Sequence, residues 1–141
     1  MPKTAYVKPR ILIVEDERII AEDLKTILEK DVYRVVGIAN TSRKALDLVE
    51  KMKPDLVLMD ISLKTDPDGV VTASYITQND RVPVVFITAY ASRDLSERVK
   101  VVEPYGYITK PYTPDLVYTT VEMALYKHRM MQNRLRVARS S

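Results

Sequence analysis

Short apolar runs rich in valine and isoleucine recur along the chain at residues 11–14, 35–39, 56–59, 82–88 and, more weakly, 105–108. Each has the length of a strand, and a run that is apolar throughout, instead of alternating, predicts a strand buried on both faces. Between the runs the apolar positions change to a helical spacing. Ile20, Leu24, Ile27 and Leu28 share one face of a first predicted helix, and Ala45, Leu48, Val49 and Met52 one face of a second, so both faces meet a sheet. A short third helix is predicted over 70–76, a mostly polar fourth around 95–102, and a fifth that begins after Pro114 and runs past Met131. Breakers fall at the junctions: Pro54-Asp55 before the third strand, Asp66-Pro67-Asp68-Gly69 after it, and Arg81-Val82-Pro83 entering the fourth. Strand and helix alternate five times, which predicts an α/β, doubly wound, five-stranded parallel sheet with right-handed crossovers. The domain is placed at residues 9–126, preceded by an extension over 1–8 and followed by a basic helical extension or linker over 127–141.

Composition narrows the function classes. A chain of 141 residues buries roughly 68–70% of the surface its unfolded form exposes, enough for a self-sufficient core. With no cysteine, neither disulfides nor thiolate zinc sites are available. No apolar stretch approaches the ~20 residues of a membrane span, and the first residues carry no signal-peptide core, so the expected location is the cytoplasm. The net charge of +3 hides an asymmetry: residues 1–122 carry 17 basic against 19 acidic side chains, whereas 123–141 hold five basic residues, His128 and no acid. Such a tail can meet nucleic acid or anionic lipid, and it equally suits the negative end of a helix dipole. No DNA-binding domain is expected within the chain.

In open α/β sheets ligands sit beyond the carboxyl ends of the strands. The first run ends in Glu15-Asp16, the third in Asp60, the fourth in Thr88 and the fifth in Lys110-Pro111. Singly, each has a plain explanation: acids capping a helix, a turn aspartate, a β-branched strand residue, a solvated lysine. Together they are the parts of a phosphoryl-transfer site. Three clustered carboxylates repel one another, and a hard divalent cation with oxygen ligands relieves them, Mg²⁺ best of all. Asp60 is the natural nucleophile, giving an aspartyl-phosphate. The Lys110 ammonium and the Thr88 hydroxyl would then meet the added charge.

The motifs Ile11-Leu12-Ile13-Val14-Glu15-Asp16-Glu17, Leu56-Val57-Leu58-Met59-Asp60-Ile61-Ser62-Leu63, Val84-Val85-Phe86-Ile87-Thr88-Ala89-Tyr90 and Tyr107-Ile108-Thr109-Lys110-Pro111-Tyr112, with Asp16, Asp60, Thr88 and Lys110 separated by 44, 28 and 22 residues, resemble the receiver domain of two-component response regulators. The resemblance implies strand order 2-1-3-4-5 in a flavodoxin-like (βα)5 fold. It also implies phosphoryl transfer to Asp60 from a histidine kinase, in a signalling protein and not a turnover enzyme. Mg²⁺ would be bound directly by Asp16 and Asp60, through water by Glu15 and by the backbone carbonyl of Ser62. Thr88 and Ala89 would bind phosphoryl oxygens, Tyr107 would be an aromatic switch coupled to Thr88, and the Lys110-Pro111 bond would be cis. Kinase specificity would lie near the first helix. The loop from Asp60 to Gly69 is one residue longer than is usual in the family, and Ser62 and Tyr90 stand where phosphoryl lifetime is tuned.

Rival readings fit less well. A haloacid-dehalogenase-like phosphatase wants a second aspartate where Ser62 stands, and a flavodoxin-like electron carrier wants a phosphate-binding loop where the acidic Glu15-Asp16-Glu17 stands. A phosphorylation-independent docking module, or the receiver portion of a larger hybrid signalling protein, is the remaining alternative. In the predicted fifth helix Val117, Val121, Ala124, His128, Met131, Leu135 and Ala138 step by 4 and 3 residues. This seam of period 3.5 suits a short coiled coil or a connector, or the polar end of a fraying helix. A homodimer through the fourth and fifth helices, or through this seam, is one expected use.

Overall fold

The computed structural model describes residues 7–65, 67–89 and 93–140, with backbone alone over 93–96. The elements in chain order are β1 (Arg10–Val14), α1 (Arg18–Glu29), β2 (Arg34–Ala39), α2 (Ser42–Met52), β3 (Leu56–Asp60), α3 (Gly69–Tyr75) running into a π-helical turn (Ile76–Asp80), β4 (Val84–Thr88), α4 (Arg93–Val102), β5 (Gly106–Thr109) and α5 (Pro114–Ser140). All neighbouring strands pair parallel, in the order β2-β1-β3-β4-β5. The fold class and strand order expected from the sequence are therefore those of the molecule.

Successive side chains of the central strands feed opposite faces. Leu12, Val14, Val57, Met59 and Phe86 pack under α2, α3 and α4. Ile11, Ile13, Leu56, Leu58, Val85 and Ile87 pack under α1 and α5. Each such side chain contributes about 1.5–3 kcal/mol by leaving water, so β1, β3 and β4 are anchored from both sides and their carboxyl ends are fixed points. The edge strands depart from the expectation of burial on both faces: β2 and β5 are half-exposed, because each has a neighbour on one side only. β4 begins at Val84 and not at residue 82, since Pro83 has no N–H to give a ladder and contributes only its carbonyl, which accepts from Val57.

α3 starts on a built cap. The Asp68 carboxylate accepts from the Val71 N–H at 3.0 Å and from the Arg98 guanidinium of α4 at 2.6 Å. Partial burial pushes the Asp68 carboxyl up, but the Val71 N–H and Arg98 outweigh it and hold it below its ordinary value. A depressed carboxyl adds stability above its unfolded pKa and loses it as pH falls through the folded one. Asp68→Ala is expected to cost about 1 kcal/mol at neutral pH and nothing in strong acid. Urea midpoints at the two pH values check this, and equal midpoints for both proteins at neutral pH would show the cap to be inert.

α5 is one continuous helix of 27 residues. Val117, Val121 and Ala124 are fully buried against the sheet, and the half-buried His128 sets its ring edge-on to Tyr105 at 5.7 Å. Beyond it Met131 and Leu135 are exposed, so the predicted seam is a core element in its first half only. Among the described residues no helix is long and apolar enough to cross a membrane.

Candidate functional site

Two strand ends deliver the acidic rim. Glu15 follows β1 directly and its N–H extends the ladder to the Ala39 carbonyl at 2.9 Å; Asp60 is the last residue of β3. One carboxylate oxygen from each of Glu15, Asp16 and Asp60 lies within 4.8 Å of the others. Glu15 and Asp60 are 1% and 2% exposed, whereas Asp16 faces solvent. Asp60 Oδ1 accepts from the Ser62 N–H at 2.9 Å, which orients the carboxylate. Glu15 Oε2 accepts from the Glu17 N–H at 3.1 Å, while the buried Oε1 has no hydrogen-bond partner.

Lys110 comes in from the end of β5. Its N–H donates to the Thr88 carbonyl at 2.8 Å, and its ammonium stands 3.3 Å from Glu15 Oε1 and 3.9 Å from Glu17 Oε1. The Lys110-Pro111 bond is cis, as the resemblance implied. Burial pushes the Glu15 carboxyl up to about 7; the Asp60 charge adds to the rise, and the Glu17 N–H and Lys110 oppose it. Three carboxylates within 4.8 Å of one another, two of them buried and one paired with Lys110, are a donor set for a hard, oxygen-seeking cation, and Mg²⁺ fits it.

The remaining expected residues fall around this rim. Thr88 ends β4, buried, and Ala89 follows it, exposed. Tyr107 does not join the rim. It lies on β5, 49% exposed, with its ring 6.4 Å from that of Phe86 at 26°. Tyr90 and Asp66 lie outside the described residues. The structure adds three participants that sequence reasoning missed. Glu17 shares Lys110 with Glu15, and its signal was its place as third acid in the run. Gly69, read only as a turn residue, leaves no room for a Cβ beside the Asp60 carbonyl. Tyr112 donates to Asp23 at 2.8 Å, tying the segment after Lys110 to α1.

The family described as "Response regulator receiver domain" matches residues 11–122. The chain is similar to the transcriptional regulatory protein PdtaR of Mycobacterium tuberculosis, 37% identical over 125 residues that cover 89% of this chain and 60% of PdtaR. It is also similar to the phyllosphere-induced regulator PhyR of Methylorubrum extorquens, 37% identical over 124 residues, 86% of this chain and 45% of PhyR. The chain thus spans about half the length of these regulators. Among solved structures, the signal receiver domain of a modulated diguanylate cyclase from Desulfovibrio desulfuricans superposes with a TM-score of 0.84 at 35% identity, covering 88% of this chain and 98% of that one.

Proposed function

The chain belongs to the response regulator receiver domain family of two-component signalling, and from that premise we propose that it is a phosphoacceptor switch loaded at Asp60. The observation that carries the reading is the buried Asp60 carboxylate at the end of β3, with two further carboxylates within 4.8 Å and the Lys110 ammonium on one of them. A carboxylate oxygen of Asp60 attacks phosphorus of a histidine kinase's phosphohistidine. The P–N bond breaks, its electron pair stays on the imidazole nitrogen, and an aspartyl-phosphate results. When bound by Asp16, Asp60 and the Ser62 carbonyl, with Glu15 through water, Mg²⁺ supplies positive charge to the carboxylates and to the phosphoryl oxygens.

The protein's own groups do the rest. Lys110 exchanges Glu15 for a phosphoryl oxygen, and the Thr88 hydroxyl and Ala89 N–H donate to the others. As Thr88 moves, the exposed Tyr107 ring turns inward, changing the face made by α4, β5 and α5 that a downstream protein or a second copy reads. The expected setting is the cytoplasm.

Intact mass after incubation with Mg²⁺ and acetyl phosphate tests the proposal. One labile phosphoryl group should be gained, and lost with EDTA or without the Asp60 carboxylate. Absence of any adduct, together with failure of beryllofluoride to shift the NMR signals of the rim, would leave only a docking module.

A further inference from the structure

The seam of α5 that meets the sheet is matched by a second one on the opposite side of the same helix. Thr119, Met123, Tyr126, Met130, Asn133 and Val137 step by 4, 3, 4, 3 and 4 residues, and at 100° per residue they lie about half a turn from Val117, Val121 and Ala124. All face solvent: Met123 is 46% exposed, Tyr126 54%, Met130 37% and Val137 64%. The stripe has the narrow a/d width of a two-helix seam and not the broad apolar face of a helix lying on a bilayer. Asn133 sits within it, its side-chain oxygen accepting from Arg136 at 3.1 Å, and a polar residue at such a position fixes the register of a partner helix.

Charge selects the occupant. Lys127 and Arg134 flank one side of the stripe and Arg129 and Arg136 the other, with Glu122 the one acid beside it between Thr119 and Val137. A second copy could offer these four cations only Glu122, whereas an acidic helix offers a carboxylate to each of them. We propose that the outward stripe of α5 docks an acidic amphipathic helix of another protein. Its Met, Tyr and Val side chains pack into the partner's seam, and its four flanking cations pair with carboxylates there. The tail lines a groove of about 620 Å³ with Val82, Pro83 and Tyr105, residues that precede β4 and β5, so it lies at the end of the sheet away from the acidic rim. Docking is therefore independent of the phosphoacceptor reading and is tested apart from it.

The probe is a synthetic four-heptad peptide with leucine at a and d and glutamate at e and g, titrated calorimetrically into the full chain and into its Asp60→Asn form. Binding is expected in both. The double substitution Met123→Ser with Met130→Ser should weaken it at least about tenfold, whereas Met131→Ser with Leu135→Ser, on the inner side of the same helix, should leave it unchanged, with circular dichroism showing the helix intact in each. No binding, equal weakening by both pairs, or no weakening by the outer pair overturns the proposal. So does a stable dimer of the chain alone in light scattering, which would assign the stripe to a second copy. Vesicles of anionic lipid or an oligonucleotide that bind through the same methionines would overturn it as well.

Discussion

Asp60→Asn is expected to abolish phosphoryl uptake and, without divalent cations, to melt higher than the wild type. The amide keeps an oxygen to accept the Ser62 N–H and loses the negative charge that makes a nucleophile, so the mass gain with acetyl phosphate disappears. It also removes one of three carboxylates held within 4.8 Å, two of them buried. The effect follows pH with a definite sign. Burial, with the Asp60 charge adding to it, raises the Glu15 carboxyl from 4.5 to about 7. Between those values the unfolded chain binds fewer protons than the folded one, so the metal-free wild type loses stability as pH rises through that window. The gain in the variant should be about 1–2 kcal/mol above pH ~7 and shrink toward pH ~5, where Glu15 is protonated in the folded chain. Melting curves in EDTA at the two pH values check this, and a lower melting temperature for the variant in mild alkali would show the carboxylate to be net stabilising. Saturating Mg²⁺ should reverse the order, raising the wild type by about 2.7 kcal/mol at a hundredfold excess over Kd and the variant by less.

Gly69→Ala should be nearly as damaging to the fold as Asp60→Asn is to the chemistry. A Cβ at this position would overlap the Asp60 carbonyl oxygen and come within 3.4 Å of the Ile61 carbonyl and Leu63 Cβ. The strand end cannot yield, because the Ile61 N–H is bonded to Ile87 at 2.9 Å and the Leu63 N–H to the Asp60 carbonyl at 3.2 Å. α3 must retreat instead, loosening Val70, Ala73 and Ile76 from the core. No glycine in the described chain has positive φ, so the requirement here is for space and not for conformation. The expected loss is about 2–3 kcal/mol, read as a shifted urea midpoint, with slower phosphoryl uptake because the Asp60 backbone is disturbed. Wild-type stability in this variant would mean that α3 slides away without penalty.

The central strands were legible because a uniformly apolar run of valine and isoleucine has few other fates, and the strand-end rule then places Glu15, Asp16, Asp60 and Lys110 on one rim from the sequence alone. The pairing within that rim was not legible. That Lys110 chooses Glu15 and Glu17 depends on side-chain reach across the sheet, which no spacing encodes. The contact of Gly69 with Asp60 is likewise tertiary; its sequence signal is indistinguishable from that of a turn. The π-helical turn Ile76–Asp80 has too few residues for a period to register. In α5 two apolar series with the same 4,3 steps compete, and only burial decides that Val117, Val121 and Ala124 face the sheet while Met123, Tyr126 and Met130 do not.

The length of α5 turns the domain into a lever. The helix begins at Pro114, four residues after Lys110, and its approach is pinned to α1 by the Tyr112–Asp23 bond. Its fulcrum is the buried segment Val117, Val121 and Ala124, and every residue from 129 to 140 is exposed beyond it. Twenty-seven residues make a rod of about 40 Å, so a tilt of about 5° at the fulcrum carries the tip by about 2 Å. On the proposed reading, in which Lys110 exchanges Glu15 for a phosphoryl oxygen, a sub-ångström adjustment at that point would become, at Val137, a displacement comparable to the radius of a methyl group.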